Sequence, residues 1–300
     1  MDYPYVSVIV PTFNREEPLC QTLQALFNQR YPYYEIIVVD QTQQHALETI
    51  SFLESNKDKI CYYHLDRPGL PNAKNFGSSF AKGEILLFCD DDMIPIPDFI
   101  KHHVENYRNP NIGCVASRII PMGYVRRPFT FFRLKLIGGK IAPSGRYFCN
   151  WNSDRNGYVD TCGGTVISVR KNLIERIDGF DTLFKGTFHH EDVDLGYRLR
   201  RLGIKIIYEP RAEVLHLYYP KGGVRIDNSV KAEYFRFRNC IIFYLKNMNK
   251  FLLPYMLIVF FLIATKKILI PTRSIKNFFY VLSGLWDGFK TYIKRKKNGK

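Results

Sequence analysis

No CxxC pair occurs among the seven cysteines, which excludes the commonest zinc and dithiol-redox patterns. Cys61, Cys89 and Cys114 lie in apolar, strand-like stretches and read as buried free thiols of a reducing compartment. The N-terminal stretch "MDYPYVSVIVP" has no basic region and only a five-residue strand-like run. It does not read as a signal peptide, and the expectation is a chain that begins in the cytoplasm. Acid is what the C-terminal segment lacks. Residues 246–300 hold twelve Lys/Arg and one acid, Asp287, or +11 of the total +15, which leaves +4 for residues 1–245. The basic excess sits among apolar runs, and no aromatic–basic RNA motif appears. It points to an anionic membrane surface and not to nucleic acid.

What is present is ordinary for a folded protein: 300 residues, 46% hydrophobic and 24% charged. The first half alternates. "VSVIV" (6–10), "EIIVVD" (35–40), "ICYYHL" (60–65) and "EILLFC" (84–89) read as buried strands. Residues 18–29, 45–55 and 70–81 read as helices between them, with Pro71 suited to a first turn. The order βαβαβαβ implies an α/β fold with a parallel, doubly wound sheet. In such sheets ligands bind beyond the carboxyl ends of the strands. Further on, 96–107 and 189–203 read as helices, and 112–118, 163–169, "IKIIYEP" and "AEVLHL" as strands. Residues 123–152 show no clean period and suggest a long active-site loop or small subdomain.

Chemistry concentrates at three acidic places: Asp40, Asp90–Asp92 and Glu191–Asp192, with His216 ending a later strand. Adjacent carboxylates repel and raise each other's pKa unless a cation offsets them. Magnesium typically bridges a few carboxylates and a diphosphate. Glu191 and Asp192 fall in the first turn of a helix, where the dipole favours the ionised form that a general base needs. Ordinary helix capping is the bland alternative.

The stretches "VSVIVPTFNR", "EIIVVD", "GLPNAKNFG", "GEILLFCDDDMIPIPDFI", "GFDTLF…EDVDLGYRLRRLG" and "VLHL" resemble, in order and spacing, the family 2 glycosyltransferases of GT-A fold. The resemblance covers about residues 5–220. "YFRFRNCIIFYLKN" and "VLSGLWDGFK" resemble its membrane-associated bacterial branch, which includes rhamnosyltransferase-like enzymes. It implies an inverting transfer from a nucleotide-sugar, assisted by Mg²⁺ or Mn²⁺, onto a glycan or lipid-linked acceptor in cell-surface polysaccharide synthesis. Carried over by position, Asp92 is the metal ligand, supported by Asp90 and His216, and Asp91 faces the ribose. Asp192 is the base on the acceptor hydroxyl, and Glu191 orients the acceptor or supports the loop. Pro11, Thr12, Asp40 and Gln41 surround the nucleoside, Lys74 lies near it, and Gly163 and Gly164 let the donor sugar approach. Relatives often read "DDGS" or "DNGS" where this chain has "DQTQ"; Gln41 therefore leaves UDP, dTDP and GDP open. His189 and His190 read as solvated loop histidines that could touch an acceptor.

Two rival classes stand beside this. A sugar-nucleotide-forming nucleotidyltransferase would carry a glycine-rich signature after the first strand, and "PTFNREEP" has no glycine. A non-catalytic nucleotide-sugar-binding protein would not need the intact carboxylates and His216.

The resemblance and the patterns together divide the chain into a catalytic unit, 1–245, and a membrane-associating helical tail, 246–300. "FLLPYMLIVFFLIAT" (251–265) has fifteen uncharged residues, about 22 Å of helix against a bilayer core of about 30 Å. Basic residues flank it and the second apolar piece, 278–289. A single crossing would leave one basic cluster outside, so a peripheral or re-entrant seat on the cytoplasmic face is expected.

Overall fold

The computed structural model describes residues 3–122, 137–164, 166–226 and 228–298. Much of the loop or subdomain expected within 123–152, namely 123–136, lies outside them. The first half alternates as its apolar runs require: β1 (Val6–Thr12), α1 (Glu17–Phe27), β2 (Tyr34–Asp40), α2 (Leu47–Ser55), β3 (Cys61–His64), α3 (Leu70–Phe80) and β4 (Ile85–Phe88). Every residue of β1 and β4 is buried, as a sheet covered on both faces demands. Pro18 and Pro71 open α1 and α3, where a missing N–H costs nothing. Gly77 lets α3 lie against the sheet; a Cβ there would stand 2.6 Å from Ile9 Cγ2.

The chain continues through β5 (Met93–Pro95), α4 (Phe99–Asn106), β6 (Ile112–Pro121), β7 (Gly138–Ile141), β8 (Tyr147–Asn150), β9 (Gly157–Tyr158), β10 (Ile167–Arg170), α5 (Lys171–Arg176), α6 (Glu191–Arg201) and β11 (Lys205–His216). The main sheet has the order β3-β2-β1-β4-β10-β6-β11-β5, with β9 paired to β11. Only its β3-β2-β1-β4 half is purely parallel; β10 runs antiparallel to β4 and β6, and β5 antiparallel to β11. The parallel sheet expected from the first half is that half, and β6 also pairs parallel to β11. "IKIIYEP" and "AEVLHL", read as two strands, form the single strand β11, whose register slips between Glu209 and Glu213. β7 and β8 make a separate antiparallel hairpin. No disulfide forms among the described residues.

The C-terminal part is α7 (Ser229–Asn247), α8 (Leu253–Ala264), a π turn (Thr265–Leu269), α9 (Ile270–Thr272) and α10 (Ile275–Lys297). Phe237, Ile241 and Tyr244 of α7 pack with Met256, Phe260 and Ala264 of α8 and with Phe278 and Val281 of α10. Gly284 and Gly288 bring α10 onto the backbone of α7; Cβ atoms there would stand 2.4 Å from the carbonyl oxygens of Tyr234 and Arg238. Lys246 pairs with Asp181 and Asp194, and Arg295 Nη1 lies 2.6 Å from Asp181 Oδ1. The boundary expected at 245/246 thus falls in the last turn of a helix that packs on both sides of it.

Candidate active site

The parallel half ends its strands along one edge, and the acidic residues gather there. β1 delivers Thr12, whose hydroxyl donates to Asp91 Oδ2 at 2.7 Å. β4 runs out into Asp90–Asp92, and β11 ends in His216, whose Nε2 lies 3.4 Å from Asp92 Oδ1. Arg15 places its guanidinium 3.3 Å from Asp92 and 3.7 Å from Asp91. Arg225 adds a third cationic contact, 3.4 Å from Asp92 Oδ2.

These neighbours split the three aspartates. Burial pushes Asp91 up to about 7 despite Arg15 and the Thr12 hydroxyl. Asp90 is also raised, by burial and by Asp92, against the pull of Lys74. Burial would raise Asp92 as well, but His216, Arg15 and Arg225 outweigh it and hold its carboxyl below the usual range. Asp92 is thus the one of the three whose carboxyl is held below the usual range. The crowding of acids that burial and mutual repulsion disfavour, with an imidazole nitrogen beside them, fits a hard divalent cation.

Two cavities adjoin here. The larger, about 560 Å³, is lined by Pro11, Thr12, Gln41, Asp90–Asp92, His216 and Arg225, among others. The smaller, about 280 Å³, is lined by Lys74, Tyr147, Gly164, His189, Glu191 and Asp192, among others. Both share Leu70, Asp90, Phe188 and Val224.

In the smaller cavity, Lys74 Nζ lies 2.6 Å from Glu191 Oε1, with both side chains buried. Burial opposes the Lys74 charge, but Glu191, Asp90 and Asp192 prevail and raise its pKa. Burial pushes Glu191 up to about 7, since one ammonium faces several carboxylates. Its second oxygen, Oε2, is buried and has no hydrogen-bond partner. Asp192 is held differently: Oδ1 accepts from the Val193 N–H at 2.8 Å, and Oδ2 accepts from the Gly164 N–H. Gly164 has φ +76°, the left-handed region. A Cβ on Gly163 would stand 2.2 Å from Val193 Cγ2. The two glycines thus bring a backbone turn onto the start of α6.

Residues 7–173 match the family model described as Glycosyl transferase family 2. The chain belongs to that family. It is 27% identical over 242 residues to the O-antigen biosynthesis protein RfbC of Myxococcus xanthus, covering 77% of this chain and 18% of that one. TarS of S. aureus, residues 1–349, superimposes with a TM-score of 0.64 at 17% identity, covering 97% of this chain and 82% of that one. The mannosyltransferase PcManGT of Pyrobaculum calidifontis, in complex with GDP-Man and Mn²⁺, superimposes with a TM-score of 0.58 at 22% identity, covering 82% of this chain and 64% of that one. The fold of this family 2 glycosyltransferase is GT-A.

Geometry revises several expectations. Asp40 does not line the nucleotide-sized cavity. Its Oδ1 accepts from the Thr42 N–H at 2.8 Å, and its Oδ2 meets the Tyr62 hydroxyl at 2.6 Å and His45 Nε2 at 2.5 Å. Gln41 lines the cavity instead. Lys74 lines the smaller cavity with Glu191, whereas Gln41 lines the larger. His189 and His190 are not solvated loop residues. His190 is 1% exposed, and its Nε2–H donates to the Gly145 carbonyl at 3.2 Å. Burial pushes His190 down to about 4 and His189 well below the usual range. With Cys240 they bring three donor atoms within 4.8 Å. His190 Nδ1 faces Cys240 Sγ at 3.5 Å, and Arg236 and Lys267 press positive charge on His189, which disfavours a cation there. Arg15, Arg225, His45 and Tyr147 were not singled out from the sequence. Arg15 stands in the quoted "PTFNR", but nothing in that string says that its side chain turns inward.

Proposed function

We propose that this family 2 glycosyltransferase moves a sugar from a nucleotide-sugar onto a hydroxyl of a glycan or lipid-linked acceptor, inverting the anomeric centre. The supporting observation is the meeting of two cavities at Asp90, one walled by Asp92 and His216, the other by Asp192. The larger takes the donor. Gln41 faces the base, and UDP, dTDP and GDP remain open to it. Asp90, Asp92 and His216 would hold Mg²⁺ or Mn²⁺, which when bound offsets the charge of the departing diphosphate. Arg15 and Arg225 stand beside Asp92 and add fixed positive charge on the same side. The smaller cavity takes the acceptor. Asp192 accepts the hydroxyl proton as the new bond forms, and the Lys74–Glu191 pair fixes the floor beneath it.

The tail supports a seat on the cytoplasmic membrane face. Lys250–Thr272 is a helical run of 23 residues, with mean hydropathy 2.0 over its most apolar 18-residue window, about 35 Å at the α-helical rise and long enough to cross. One stripe of it, Met256, Phe260, Ala264 and Ile268, packs inside the protein. Phe251, Ile258, Phe261 and Leu262 are exposed, beside Lys250, Lys266 and Lys267. A half-buried helix with flanking lysines suits an in-plane seat better than a crossing. The name of RfbC, an O-antigen biosynthesis protein, agrees with a role in surface polysaccharide synthesis.

Thermal shift with UDP-, GDP- and dTDP-sugars, with and without Mn²⁺ or Mg²⁺, tests the donor reading. One nucleotide class should raise the melting temperature only when metal is present, because a ligand of the native state stabilises it. No metal-dependent shift with any of the three would count decisively against the proposal.

A further inference from the structure

Behind Gln41 lies a cluster that the transfer itself does not use. Asp40 is 0% exposed, and both its oxygens are engaged by the Thr42 N–H, the Tyr62 hydroxyl and His45. His45 Nδ1 lies 3.0 Å and 3.1 Å from the two oxygens of Glu16. Its side chain is 6% exposed, that of Glu16 39%. An imidazole with a carboxylate at each nitrogen satisfies both only when each nitrogen carries a proton. Glu16 also accepts from the Ala46 N–H at 3.3 Å. One ring therefore ties the residue before α1, the end of β2 and the start of α2, while Tyr62 brings in β3.

On the cavity side of the same turn, Gln41 Oε1 accepts from the Gly69 N–H at 2.6 Å. Its Nε2 donates to the Thr12 carbonyl at 3.2 Å. Thr12 in turn holds Asp91. The position of the cavity wall is thus continuous with the clamp behind it.

We infer that His45, as an imidazolium clamped between Asp40 and Glu16, is a positioning residue that fixes the Gln41 wall and makes donor affinity fall as the ring loses its proton. The inference rests on the donor-site reading above. A neutral ring has one N–H for two carboxylates, so one of them must face a lone pair. Glu16, the more exposed, can turn to water, and it is the link that holds the start of α2. The 41–46 turn then loses one of its anchors, leaving the Thr42 hydroxyl's bond from the Asn14 N–H, and the Gln41 wall is held less firmly.

The groups that face the ring are Asp40 from β2, Glu16 from before α1 and the Tyr62 phenol from β3. Burial works against the His45 charge, but hydrogen bonds and charge from Asp40 and Glu16 hold its pKa above 6.5. Burial and Asp40 raise the Tyr62 phenol, which stays protonated in this range. A raised histidine gives its stabilisation fully below the unfolded pKa and loses it as pH rises through the folded one. The clamp is therefore closed in mild acid and opens on the alkaline side.

The test is calorimetric titration of the full chain with UDP, GDP and dTDP, in Mg²⁺, from about pH 6, below the ordinary histidine value, to about pH 8.5. For the nucleotide that binds, wild-type affinity should fall by about fivefold or more across the range, beyond any fall in His45→Gln. His45→Gln should bind weakly and lack that component. Glu16→Gln should shift the wild-type fall to lower pH, because it removes one of the charges that raise His45. A merely structural histidine would move affinity without moving the profile. Binding with superimposable profiles in wild type and His45→Gln overturns this inference alone. No binding of any nucleotide by wild type at the acid end overturns the donor-site reading and this inference with it. Should His45→Gln fail to fold, Glu16→Gln carries the test, and an unmoved midpoint overturns the inference.

Discussion

Replacing Lys74 by methionine should cost this protein much of its stability, and the cost should depend on pH. Lys74 and Glu191 have side chains only 8% and 4% exposed, with Nζ 2.6 Å from Oε1. Methionine keeps the volume of the stem and removes only the charge. Breaking a buried ion pair from one side costs about 3–5 kcal/mol, because the other charge is left unpaired. Asp90 and Asp192 add to the repulsion that Lys74 now offsets. The sign with pH follows from Glu191. Its folded pKa, about 7, exceeds the ordinary value of 4.5, so wild type loses stability as pH rises through that window and then levels. Without Lys74 the folded pKa of Glu191 moves higher still, and the variant goes on losing stability by up to about 1.4 kcal/mol per pH unit. Urea unfolding at about pH 6 and about pH 8 should therefore show a deficit of about 3–5 kcal/mol at the higher pH and a smaller one at the lower. Lys74→Met combined with Glu191→Gln should recover part of it at the higher pH, since no unpaired charge remains. A deficit that is the same at both pH values, or under about 1 kcal/mol at the higher, would refute the reasoning.

Three further outcomes follow from the site and the tail. Asp92→Asn should weaken metal-supported binding of a nucleoside diphosphate by about tenfold or more, and Asp91→Asn by less, because Asp92 is held below the usual carboxylate range while Asp91 is raised; calorimetry with Mn²⁺ that finds wild type and Asp92→Asn equal would remove Asp92 from the metal site. Asp192→Asn should keep donor affinity and lose transfer by about a hundred- to ten-thousand-fold; near-wild-type turnover would rule it out as the base. Changing Phe251, Ile258 and Leu262 together to serine should abolish co-sedimentation with anionic vesicles and leave the melting temperature nearly unchanged, because these side chains are exposed; undiminished sedimentation would locate the membrane contact elsewhere.

The parallel half of the sheet was legible because each strand is a short apolar run that stops at a polar residue. In the other half β6, β10 and β11 were legible as strands, but their pairing, and β5, were not. β5 is only three residues, Met93–Pro95, too short for any periodicity. β10 enters between β4 and β6 by pairing across long sequence separations, which local pattern does not encode. β11 was divided because Pro210 and Arg211 interrupt its apolar run, just where its register slips. In the site, carboxylates at strand ends announced themselves, whereas their cations did not. An arginine in a polar string such as "PTFNR" reads as surface until folding turns it inward. His189 and His190 misled for the converse reason. Their sequence neighbours are polar, but Cys240, on a helix some fifty residues later, closes over His190, its Sγ 3.5 Å from Nδ1.

How each carboxylate is held separates the roles. Asp91 and Asp92 lean on guanidinium groups and an imidazole, and Glu191 on an ammonium. Burial pushes both Asp91 and Glu191 up to about 7, but a proton taken by Glu191 would leave the Lys74 ammonium buried without its partner. Asp192 is anchored instead by the backbone N–H groups of Gly164 and Val193. Those bonds orient it without neutralising it, and it lines the smaller cavity beside Asp90. The requirement for a general base is an acceptor in place but not discharged by a partner. Asp192, the base proposed above, fits that requirement better than Glu191, one residue earlier in the same helix, whose oxygen is held by Lys74. The glycine pair before β10 is what makes the difference, since a side chain on Gly163 would collide with Val193 and push the anchoring turn away.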